Sequence, residues 1–185
     1  MTSIVLNEAL SQQSLLVVYA AMAVFTLAFL ASVYHLSQAA SLKDKNLKSV
    51  VAFERIALAL SILGTVILAV GVFMRGFAAS RVPWANLYEY SITGALILMM
   101  IYLVSVRSKE VRIMSTFVVG FVLLVLGTAV SIFYVQVASL MPALQSYWLV
   151  IHVMVALLAT GFFSLAAALS VAYLLKTANW VEKAS

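Results

Sequence analysis

Five stretches of about 20 apolar residues, each bounded by charged or turn-forming residues, constrain this chain more than any other feature; they run at roughly 14–36, 56–74, 87–106, 113–137 and 147–175. A hydrocarbon layer about 30 Å thick takes about 20 residues to cross at about 1.5 Å rise per residue. Backbone amides inside such a layer find no water, so they must be satisfied within a helix or around a closed barrel. The runs lack the apolar–polar alternation of barrel strands. They predict an all-α fold: a polytopic membrane protein of about five transmembrane helices, forming one membrane-embedded domain over residues 1–185. No low-complexity linker or internal repeat divides it.

Composition supports the same class. Hydrophobic residues make up 65% of the chain and charged ones 9%, with mean hydropathy +1.14, whereas soluble domains are about a quarter charged. The formal charge of +5 is carried by eleven basic residues gathered between apolar runs. They act as topology signals, and nucleic-acid binding is excluded. There is no cysteine, which excludes disulfides, thiolate metal sites and thiol catalysis by this chain. The segment Met1 to Gln13 holds Glu8 and no basic residue, and the run after it is far longer than a signal-peptide core, so it is expected to be retained.

Lys43, Lys45, Lys48 and Arg55 follow the first run, Arg107, Lys109 and Arg112 the third, and Lys176 and Lys183 the fifth. The alternate connections hold only Arg75 and Arg81. The positive-inside bias therefore predicts an outward amino terminus and a cytoplasmic carboxyl terminus. The segment from Leu42 to Arg55, basic with scattered apolar positions, is expected to lie on the anionic inner leaflet. His35 falls at the cytoplasmic end of the first run, where an imidazole reaches interfacial water.

Small residues recur at packing intervals in the second run (Ala57, Ser61, Gly64, Gly71) and the fourth (Thr116, Gly120, Gly127, Ser131). Such seams let helix backbones approach closely. Their matched seven-residue steps suggest that these two helices pack on each other.

Two polar features stand at the outer ends of helices. In the first, Arg75, Arg81, Pro83, Trp84 and Asn86 lead into Tyr88, Glu89 and Tyr90. Asn86, Glu89, Tyr90 and Thr93 share one helical face, and Glu89 serves either as a partner for Arg75 or Arg81 or as the lining of a functional pocket. Trp84, Tyr88 and Tyr90 also suit the role of interfacial anchors. The second feature is the stretch Leu144 to Val153. Pro142 and the uncharged residues 139–145 break the fourth helix from the fifth, and Ser146 is a plausible N-cap. His152 follows, with Trp148 one turn before it on the same face, and no other ionisable side chain enters the run until Tyr173 and Lys176. A polar ring at such a depth is costly in lipid and marks a functional-site hypothesis.

Four roles suit that ring: haem ligand, proton relay, other metal ligand, or hydrogen-bonding strut between helices. Other metals want companion Asp, Glu, Cys or His residues nearby, and a relay wants several titratable positions across the membrane; neither pattern is present. Haem needs one or two axial side chains in apolar, aromatic surroundings. Chemistry alone leaves haem ligation and the interhelical strut of a noncatalytic scaffold or transporter subunit both open.

The sequences Val82-Pro83-Trp84-Ala85-Asn86-Leu87-Tyr88-Glu89 and Leu144-Gln145-Ser146-Tyr147-Trp148-Leu149-Val150-Ile151-His152-Val153 resemble two blocks of the haem-handling cytochrome c assembly proteins. The chain looks like the membrane subunit of the system II cytochrome c synthase, from the second helix onward. The resemblance implies a protein of the bacterial cytoplasmic or plastid thylakoid membrane, working with a second system II membrane subunit. It implies that haem b is held at the outer face and presented to apocytochrome c, whose Cys-x-x-Cys-His thiols add to the vinyl groups. His152 maps onto an axial haem ligand, with Trp148, Trp84, Glu89 and Asn86 as neighbours. The family's tryptophan-rich segment and second axial histidine have no counterpart: the three tryptophans are Trp84, Trp148 and Trp180. The resemblance therefore predicts half of a haem clamp, in a chain that is not by itself a competent haem lyase.

Overall fold

The computed structural model describes residues 8–40, 47–108, 111–112, 114–138 and 146–184. Five helices account for nearly all of them: α1 (Glu8–Ala40), α2 (Leu47–Ala79), α3 (Leu87–Ser105), α4 (Ser115–Ser131) and α5 (Tyr147–Ala184). The expected break at Pro142, residues 139–145, and Lys43, Lys45 and Lys109 lie outside the described residues.

The order of the apolar runs survives as the order of the helices; the lengths do not. The helices α1, α2, α3 and α5 are long and apolar enough to cross a membrane, while α4 is a shorter apolar helix of 17 residues. The chain is a multi-pass membrane protein. The expected fourth helix to Val137 stops at Ser131, and the following residues to Ala138 are not helical. The second helix is longer than expected. It begins at Leu47, so residues 47–55 of the basic segment form its first turns.

Adjacent helices run antiparallel. His35 Nδ1 lies 3.0 Å from the carbonyl oxygen of Val50 at one end of the α1–α2 pair, and Arg75 reaches Ser11 at the other. His35 is thus a contact between two helices rather than a boundary residue facing water alone. Between these points, a Cβ on Gly64 would stand 2.8 Å from the Phe25 ring, and one on Gly71 would stand 3.2 Å from Val18. The small-residue seam of α2 therefore faces α1. Gly120 of α4 likewise receives Phe29 of α1, and Gly127 has nothing within 4 Å. The predicted packing of the two seams on each other is corrected: each admits an α1 side chain, because a large ring on the neighbour fills what a glycine leaves open.

The helix α3 lies at the centre, with 61% of its apolar window buried inside the protein against 17% for α5. Ile92, Leu96, Met99 and Tyr102 of α3 join Val118, Val122 and Leu126 of α4 and Phe25 and Leu68 of the α1–α2 pair in one core. The fifth helix packs on α3 through Leu157 against Gly94 and through Gly161 against Ile97 and Ile101. Both positions rise together along the chain, so α3 and α5 are parallel. One end of the bundle accordingly gathers the starts of α1, α3 and α5 and the ends of α2 and α4.

Candidate functional site

At that shared end, α2 closes in a turn that its sequence makes costly. Ser80 takes a left-handed φ of 50°, a region that costs an L-residue about 1–2 kcal/mol. The N–H of Ser80 donates to the Phe77 carbonyl at 3.1 Å and the N–H of Arg81 to the Gly76 carbonyl at 3.2 Å, a paired arrangement that satisfies the last carbonyls of a helix. Gly76 is needed for the close return of the chain, since a Cβ there would lie 3.3 Å from both Arg81 O and Pro83 Cδ. The turn brings Arg81 back towards Arg75.

Between the two guanidinium groups sits Glu89. Arg75 Nε donates to Glu89 Oε1 at 3.2 Å, with both side chains 0% exposed. Arg81 donates to Oε2 at 2.6 Å and to Oε1 at 3.3 Å. The N–H of Ala85 donates to Oε2 at 3.0 Å. Asn86 caps α3 by accepting the Glu89 N–H at 2.8 Å, so cap and carboxylate satisfy the helix start from opposite directions. Thr93 donates its hydroxyl to the Pro83 carbonyl at 2.8 Å, and the loop carrying half-buried Trp84 is fixed at both ends.

Arg75 gathers further segments. It donates to Ser11 Oγ and to the Val135 carbonyl, each at 2.7 Å, and lies 5.1 Å from the Tyr88 ring centre and 5.8 Å from that of Tyr134. The two rings meet edge to face at 5.1 Å. Arg81 also reaches the Ala138 carbonyl at 3.5 Å. These carbonyls explain the early end of α4: residues past Ser131 leave the helix and present backbone oxygens to buried Arg75 and to Arg81. The polar stripe read from the sequence is thus consumed internally. Glu89 is a partner of both arginines, and Asn86 is a helix cap.

The second predicted feature has the opposite character. Ser146 offers its carbonyl to the N–H groups of Leu149 and Val150 at 3.1 and 3.4 Å, as the residue before a helix does. Tyr147 and Trp148 are 90% and 79% exposed, and His152 is exposed. His152 stands roughly 140° around the helix from Leu157 and roughly 180° from Gly161, the residues that meet α3. Trp148 lies within roughly 40° of it. The two side chains therefore share the face of α5 turned away from the bundle. Among the described residues His152 has no hydrogen bond or ion pair. Among the described residues it links no two helices, and the packing side of α5 is set by its glycine and small residues, which lie opposite the ring.

His152, Trp148, Trp84, Asn86 and Glu89 all lie towards the same end of the bundle. No hydrogen bond or ring contact joins the first two to the other three. Sequence reasoning found Glu89 but missed that Arg75 is completely buried; the signal was an arginine closing an apolar run 14 residues before the only acid in the next one.

Residues 84–184, more than half of the 185, match a family model described as cytochrome C assembly protein. Comparisons with curated proteins and with solved structures give no match.

Proposed function

Because the chain belongs to the cytochrome c assembly protein family, with a role in cytochrome c biogenesis, we propose that it binds haem as a substrate through His152 and presents it to apocytochrome c. The observation that carries this reading is the unpartnered imidazole on the free face of α5, inside the matched region. Its surroundings fit haem: Trp148, Ile151 and Val155 are exposed beside it, offering an apolar and aromatic surface to a flat macrocycle. A neutral imidazole binds iron through one nitrogen while the other N–H awaits an acceptor.

In this reading the residues divide by task. His152 supplies one axial ligand and Trp148 a flank. Trp84 borders the site from the loop before α3, and Asn86 and Glu89 hold that loop in place without touching iron. The second axial ligand comes from outside these five helices, from the second system II membrane subunit or another segment. The shared end of the bundle faces outward, as the distribution of Lys and Arg indicates. There each cysteine thiol of apocytochrome c adds across a vinyl group, sulfur to one carbon and hydrogen to the other.

The test is an absorption spectrum of protein purified in detergent after expression with haem. The native chain supplemented with imidazole, which fills the opposite axial position, is expected to show a Soret band. His152→Gly loses that band at low imidazole and regains it at high imidazole, as a vacated ligand position does. A spectrum indifferent to His152→Gly, or no band in the native chain at any imidazole concentration, sinks the assignment.

A further inference from the structure

A cavity of about 560 Å³ opens between α4 and α5 over α3 and α1, lined by Phe29, Leu98, Phe117, Phe121, Ala168 and Val171 among others. A smaller one of about 180 Å³ shares Leu98, Phe121 and Ser164 with it and extends it towards Tyr90. Together they form a slot, because α5 leans on α3 and barely on α4. We propose that this slot holds one phospholipid with an anionic headgroup, its acyl chains between α4 and α5 and its phosphate at Arg107 and Arg112.

The depth and lining suit acyl chains. From Thr116 to Leu124 the larger cavity follows α4 for about 12 Å, nearly the depth of one leaflet in a core about 30 Å thick. Its walls are almost wholly apolar, and its lining includes no His, Met, Tyr or Cys to hold haem iron. Acyl chains need no such ligand.

The polar lining residues of the larger cavity are Thr116 and Ser164. Ser164 donates its hydroxyl to the Thr160 carbonyl within its own helix. Thr116 lines the cavity at the level where α4 begins. One turn earlier stands Arg112, paired with Glu54 at 3.2 Å while its side chain remains 40% exposed. Arg55 and Arg107 are exposed at the same end. Among the described side chains of Glu54, Arg55, Arg107 and Arg112, three cations face one anion, which favours an anionic over a zwitterionic head.

The proposal is independent of the haem reading and is tested by native mass spectrometry of the full chain released from mild detergent. One phospholipid per chain is expected to stay bound, enriched in anionic heads relative to the host membrane. Ala167→Phe, an exposed position lining the slot, fills it and lowers the bound fraction at least tenfold. Ala166→Phe, the exposed neighbour outside the slot, leaves it unchanged. If Ala167→Phe fails to fold, Ala167→Leu replaces it, with a smaller loss expected in the same direction. Arg107→Gln removes the anionic enrichment. No retained lipid in the native chain, equal retention in both phenylalanine variants, a head composition equal to that of the membrane, or a retained mass of haem in place of lipid overturns it.

Discussion

Glu89 and His152 are both polar residues near the mouths of parallel helices, yet their surroundings are opposite. The carboxylate is 0% exposed and receives two arginines and a backbone amide. The imidazole is exposed on the far side of α5 with no partner among the described residues. A buried charge persists when every lone pair is met, and a group so saturated has little left for a ligand. A ring left unsatisfied in a membrane protein remains available to something outside the fold. The contrast marks the α3 mouth as architecture and leaves the α5 mouth, under the proposed function, as the place for chemistry.

The strongest challenge to that division is Glu89→Gln, which keeps the shape but leaves Arg75 without a counter-charge. It is expected to cost about 3–5 kcal/mol, read as a lower midpoint in helical circular dichroism during detergent unfolding. An unchanged midpoint with lost haem absorption would move Glu89 to the ligand side. Asn86→Ala removes only the cap of α3, and a loss of about 1 kcal/mol is expected. A loss as large as that from Glu89→Gln would mean that Asn86 holds more than the helix start. His152→Ala has the smallest expected effect on stability, within about 0.5 kcal/mol, because nothing in the fold depends on the ring. A shift of several kcal/mol would show that His152 supports the bundle and would break the comparison.

What could be read in advance follows the physics of each feature. Helix number and order were legible because a membrane span must be long and apolar, and α3 begins at Leu87, where the apolar run begins. The end of α4 was not. Ile132, Phe133, Tyr134 and Val135 look like further helix, and only the distant demand of Arg75 and Arg81 for carbonyl oxygens pulls them out of it. The seams in α2 and α4 were visible as small residues, but a gap in one helix does not say which neighbour's ring enters it. The partner was Phe25 or Phe29. The facing of His152 was hidden for a related reason: α5 is apolar all round, so no polar face marked its free side. Glu89 was legible as a choice between two roles, and the structure shows an ion pair with both arginines.

The knot around Arg75 also imposes an order of events on the growing chain. Its partners lie 64 residues before it, 14 after it and 60 after it. At about 5–20 residues per second of synthesis, the Val135 carbonyl follows Arg75 by about 3–12 s. During that interval the end of α2 carries a cation whose shell is incomplete, so the mouth of the bundle cannot close until α4 has been made. The first two helices can pair early through Phe25 and Gly64; the end that bears the candidate site is finished last.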